Sequence, residues 1–103
     1  MSKFSLAVVA AVIGLTLGVP LPMAHADNDS FVNEAKSLGF QHADESLITT
    51  GQSACYFLTR NRDPREITER ISRYLVVNDD LARRFLVMSV DQYCPHFRSR
   101  IGA

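Results

Sequence analysis

Apolar side chains fall along this chain in one long run and four periodic groups. The run, Phe4 to Val19, follows Lys3, is interrupted only by small or hydroxylated residues, and stops at Pro20 and Pro22. The four groups repeat at three- and four-residue intervals, which places each set on one face of an α-helix. In the first, Phe31, Val32, Ala35 and Leu38 follow Asp29 or Ser30 as N-cap. Gly39 supplies the left-handed position that ends a helix, and Phe40 can fold back on the last turn. The second group starts near Asp44, with Glu45 at the positive end of the helix dipole. Its face is Leu47, Ile48, Gly51, Ala54, Cys55 and Leu58. A glycine costs about 1 kcal/mol inside a helix, so Gly51 predicts the close passage of a neighbouring helix.

The third group has the clearest start. Asp63-Pro64-Arg65-Glu66 combines a cap residue, a proline at the first helical position and an acid three residues after the cap. Ile67, Ile71, Tyr74 and Leu75 form the expected buried face, with Glu66–Arg70 and Glu69–Arg73 four apart on the solvent side. The fourth group follows Asn78, with Asp79 and Asp80 in the first turn. Leu81, Ala82, Phe85, Leu86, Met88, Val90 and Tyr93 cover more than half its circumference, the signature of a central helix. Pro95 limits it, and the tail from His96 to Ala103 reads as loosely held. No strand-like alternation or repeat occurs, and the connections are short. The expected fold is all-α, a small four-helix bundle.

The leading apolar run is too short for a membrane span, which needs about 20 apolar residues. With the small-x-small sequence Ala24-His25-Ala26 behind it, the run reads as a cleavable signal peptide over residues 1–26, cut before Asp27. Residues 27–103 then form one secreted or cell-envelope helical domain with no membrane span after cleavage. No arginine pair precedes the run, which favours the general secretory route. Removing the leader leaves eleven acidic and ten basic residues, a net charge of −1. That balance argues against nucleic acid or a charged membrane surface as partner.

Export changes the reading of the cysteines. Cys55 and Cys94 are the only two, so an oxidising compartment allows one intramolecular pairing. A disulfide closing a loop of about 40 residues contributes roughly 4 kcal/mol in the chain-entropy model, a large share of what holds so small a domain.

Candidate chemistry is sparse. His42 and His96 fall in different loops and read as surface residues, with no third ligand at a metal spacing. There is no nucleophile elbow and no glycine-rich phosphate loop. No catalytic residue, metal site or cofactor is therefore expected, and the chain does not read as an enzyme. Arg60, Arg62 and Arg65 are interleaved with Asp63 and Glu66, a charge-mixed loop. Tyr56 and Phe57 project away from the apolar face of the second helix and form a candidate binding patch. Tyr93 and His96 are three apart, and both residue types serve as axial haem ligands. The leading reading is a non-enzymatic domain that binds a partner protein or an apolar ligand, and the alternative is a secreted haem carrier.

Three features combine into a recognisable pattern: a first helix ending in Leu38-Gly39-Phe40, a Gly-x-x-x-Cys helix from Gly51 to Cys55, and Tyr93-Cys94-Pro95 after an apolar helix. From about Phe31 to Pro95 the chain resembles the small secreted mycobacterial proteins grouped as domain of unknown function 732. The resemblance implies an exported helical domain with paired cysteines at Cys55 and Cys94. That family has no established activity, so no catalytic or ligand residue is implied.

Overall fold

The computed structural model describes residues 20–102, with side chains from 27 onward. The apolar run Phe4 to Val19, expected to be a signal peptide, lies outside the described residues. Within them the chain forms four α-helices and one 3-10 helix, and no strand. The helices are α1 (Pro20–Ser37), α2 (Asp44–Thr59), α3 (Pro64–Leu75) and α4 (Asp79–Tyr93), followed by the 3-10 helix Pro95–Ile101.

Helix α1 starts about ten residues before the expected cap at Asp29 or Ser30, both of which lie inside it. The prolines that end the apolar run also begin this helix. Amides of a first helical turn have no intrahelical acceptor, so Pro20 and Pro22 forfeit no hydrogen bond there. Among the described side chains of α1, Phe31, Val32 and Ala35 are buried. Gly39 takes φ +109°, the Phe40 amide donates to Ala35 O, and the Phe40 ring turns back into the core, 2% exposed.

Helix α4 packs against every other element, as its wide apolar face requires. Phe85, fully buried on it, receives the Phe31 ring from α1 at 5.4 Å and the Phe40 ring at 5.1 Å between centroids. The sequence caps hold at two starts. Asp63 accepts from the Arg65 amide, and Asn78 accepts from the Leu81 amide. Helix α2 begins at Asp44 behind Ala43 with no side-chain cap, leaving Asp44 and Glu45 to complement its dipole. The disulfide Cys55–Cys94 ties the middle of α2 to the end of α4, with 6.0 Å between the Cα atoms.

Four expectations need correction. The tail is held rather than loose. Arg100 donates to Leu58 O and to Arg62 O, both at 3.0 Å, Arg83 donates to Ile101 O, Arg98 pairs with Asp91, and Ile101 is buried. Tyr74 is 66% exposed instead of buried: it sits on the α2-facing flank of the Ile67–Ile71–Leu75 stripe, where none of the described residues covers it. Glu66 pairs with Arg62 at 2.6 Å, in the loop before α3, and not with Arg70; no ion pair joins Glu69 to Arg73 among the described residues. His42 is half-buried rather than free at the surface. Its Nε2 lies 2.8 Å from Leu75 O at the end of α3, and its Nδ1 is buried without a partner, so Nε2 carries the proton it donates.

Candidate functional site

Helices α2 and α3 both pack extensively on α4 and much less on each other. Between them lies a groove of about 530 Å³. Its existence follows from side-chain size. Of the residues that α2 turns towards α3, Thr49, Thr50, Ser53 and Ala54 are too short to fill the gap, and only Phe57 at the far end is large. The floor is the edge of the core: Ala54, Ile67 and Ile71, each 3% exposed or less. Phe57 and Tyr74 stand on the two walls, with Arg70 and Arg73 along the α3 rim.

The predicted patch is thereby divided. Tyr56 and Phe57 touch, ring centroids 5.8 Å apart, but they do different things. Phe57 is half-buried and lines the groove, whereas Tyr56 is 56% exposed and lies outside it. The Arg70 guanidinium lies 5.0 Å from the centre of the Phe57 ring, near enough for cation–π attraction. Arg60 sits 5.9 Å from the Tyr56 ring and donates to its hydroxyl. Sequence reasoning missed Tyr74, Arg70, Arg73 and the hydroxyl-bearing flank of α2. The available signal was Thr49, Thr50 and Ser53 together beside an apolar stripe, which marks a helix side too small to meet its neighbour.

The other candidate residues are placed as follows. Arg62 donates two hydrogen bonds to Glu66, and that hydrogen bonding, more than the charge alone, holds the Glu66 carboxyl below the usual carboxylate range. The charge-mixed loop is thus internally satisfied. Tyr93, half-buried against Phe31, donates from its hydroxyl to Asn28 Oδ1 at 2.7 Å. Burial, then the nearby charge of Asp27, pushes the Tyr93 phenol up from its ordinary value. A raised phenol opposes the tyrosinate that haem ligation needs. His96 is exposed on the 3-10 helix, with its ring 4.3 Å from that of Phe97. No cluster of three or more His, Cys, Asp or Glu residues suited to a metal occurs among the described residues, and no helix there is long and apolar enough to cross a membrane. Of the predicted cut-site residues, Ala24 and Ala26 lie along α1 and Asp27 is exposed on it.

Fold and groove together define a small, disulfide-stapled helical domain with a concave, partly aromatic cleft between two of its helices. Residues 26–96 match the model of a family described as protein of unknown function (DUF732). The chain belongs to that family. No curated protein and no solved structure matches it.

Proposed function

We propose that this chain is a non-enzymatic binding domain that is exported, works in the secreted fraction or the cell envelope, and holds an apolar ligand in the α2–α3 groove. One observation carries the reading: half-buried Phe57 and exposed Tyr74 wall an open groove that closes at its base on the apolar core residues Ala54, Ile67 and Ile71. Its volume is in the range of small-molecule sites, roughly 300–1,000 Å³. Tyr56, exposed beside Phe57, would extend the wall for a longer ligand. A partner protein is the weaker form of this reading, because a stable protein interface buries about 1,200–2,000 Å² and the groove is narrow.

The organisation of α1 fits export with cleavage before Asp27. The buried residues Phe31, Val32 and Ala35 and the Asn28–Tyr93 hydrogen bond all lie after the cut, so a chain beginning at Asp27 retains them. The likeness to small exported mycobacterial proteins accords with a mycobacterial source and the general secretory route. The test is recovery of the protein from culture filtrate and envelope fractions under native conditions, with N-terminal sequencing and mass spectrometry of an organic extract. The expected result is a chain beginning at Asp27 that carries an apolar small molecule, lost in Phe57→Ala. A chain confined to the cytoplasm with its leader attached would overturn export. An extract identical to that of Phe57→Ala would overturn the groove as ligand site.

A further inference from the structure

We infer that the ligand class of the α2–α3 groove is the small amphipathic anion: a carboxylate or phosphate head on an elongated apolar body. The inference rests on the groove being the ligand site and adds the chemistry of its occupant. The ionisable lining is one-sided. Arg70 and Arg73 border the groove, and no aspartate or glutamate contributes to the lining. Neither arginine forms an ion pair among the described residues. Of the two acids of α3, Glu66 is hydrogen-bonded to Arg62 at 2.6 Å, with Arg70 and Arg73 acting on it only through weaker charge attraction, and Glu69 lines a different hollow beside Pro64 and Asp79.

Two guanidinium groups one helical turn apart suit an oxyanion better than any other head group. Their planar donors match carboxylate and phosphate oxygens in pairs. The Arg70 head is already positioned, held against the face of Phe57, so less side-chain freedom is lost on binding. The facing wall adds hydroxyls. Thr50 donates to Ser46 O within α2, while Thr49 and Ser53 have no hydrogen-bond partner among the described residues and can donate to the same oxyanion. Below this polar rim the floor of Ala54, Ile67 and Ile71 and the wall of Phe57 are apolar. A charged rim above an apolar floor selects a molecule with one charged end and one greasy end. A neutral lipid would leave both arginines unpaired, and a cation would be repelled by them.

The experiment titrates the disulfide-intact protein with dodecanoate and with dodecyl phosphate, both below their micelle concentrations. Dodecyl maltoside supplies the tail with an uncharged head, and acetate supplies the head without a tail. Calorimetry gives affinities, and amide chemical shifts locate the site. Both anionic amphiphiles are expected to bind at least about tenfold more tightly than the maltoside, a difference of about 1.4 kcal/mol, and acetate is expected not to bind. The tighter of the two anions names the head group. In the double variant R70Q/R73Q the ratio of anion to maltoside affinity should fall from about tenfold to about one. Ser53→Trp, which fills the groove from α2, should abolish binding of all three amphiphiles. Equal affinity for maltoside and anions would overturn anion recognition and leave the groove as an apolar site. Failure of every amphiphile to bind would overturn both readings. An anion preference that survives R70Q/R73Q would place recognition elsewhere and overturn the inference.

Discussion

Gly51 sits where three helices meet. A Cβ built there would lie 2.7 Å from Cζ of Phe31 on α1 and 3.2 Å from Oγ of Ser89 on α4. The spacing on α2 predicts this close passage, although what arrives is a ring and a hydroxyl rather than backbone. The Phe31 ring has little room to yield, being fully buried between Phe85 and Tyr93. Gly51→Ala gains about 1 kcal/mol of helix propensity but overpacks a fixed core, which costs about 1–3 kcal/mol. A net loss of about 1 kcal/mol is expected in urea unfolding, with the double variant Gly51→Ala/Phe31→Leu regaining part of what each single change loses. Tyr93 supplies the pH dependence at this scale. Its phenol is raised in the folded state, by burial and then by Asp27, so the native protein holds this proton more tightly than the unfolded chain. The resulting stability is complete below the ordinary tyrosine value near ~10 and is lost as pH rises through the folded value. Tyr93→Phe should flatten the alkaline limb of the melting temperature against pH. At neutral pH it should cost about 0.5–1.5 kcal/mol through the hydrogen bond to Asn28.

At the scale of elements, Arg100 ties the C-terminal 3-10 helix to α2, beside the contacts of Arg83, Arg98 and Ile101 with α4 and the core. Arg100 spans Leu58 O in the last turn of α2 and Arg62 O in the loop that follows, where the negative end of the dipole favours a cation. Arg100→Ala should cost about 1–2 kcal/mol, read as faster amide exchange over Pro95–Ile101 and the last turn of α2. Arg100→Lys should recover only part of this, because a single ammonium does not reproduce the fork. This hold could not be read from the sequence, since it joins residues 42 apart and leaves no local pattern. What the sequence did disclose is local in the same sense. Asp63-Pro64 and Asn78 announce α3 and α4 because a cap bonds within three residues. Gly39 and Phe40 announce the end of α1 for the same reason. The start of α1 was misjudged because Pro20 and Pro22 stop an apolar run and also suit a first helical turn. Tyr74 was misjudged because a residue seven after Ile67 shares its stripe, and only the small side chains of α2 opposite decide that its flank stays open. The groove is thus a property of two helices jointly, legible on neither alone.

For the whole molecule, the question is how much a single covalent tie contributes to a domain with so thin a core. Cys55 and Cys94 are 39 residues apart in sequence, and between them lie all of α3 and α4 up to its C-cap. Opening that loop restores conformational freedom to most of the unfolded chain, which the chain-entropy model values at about 4 kcal/mol. A small domain often has only about 5 kcal/mol in total, so the reduced protein should lie near the margin of folding. In a domain of this size each kcal/mol shifts the melting temperature by about 4–8 °C, and complete reduction should lower it by about 15–30 °C. The tail belongs to the same argument. Arg100 returns to α2 one turn beyond Cys55, so with the disulfide closed its contacts complete a short further loop, and with it open they are the remaining bond between these ends. Arg100→Ala should therefore reduce native helicity more in the reduced protein than in the oxidised one. The measurement is thermal unfolding by circular dichroism of wild type and Arg100→Ala, each with and without excess reductant. An unchanged melting temperature after full reduction would show that the helix packing suffices alone. A large fall would tie the fold to an oxidising compartment, where the leader is expected to send it.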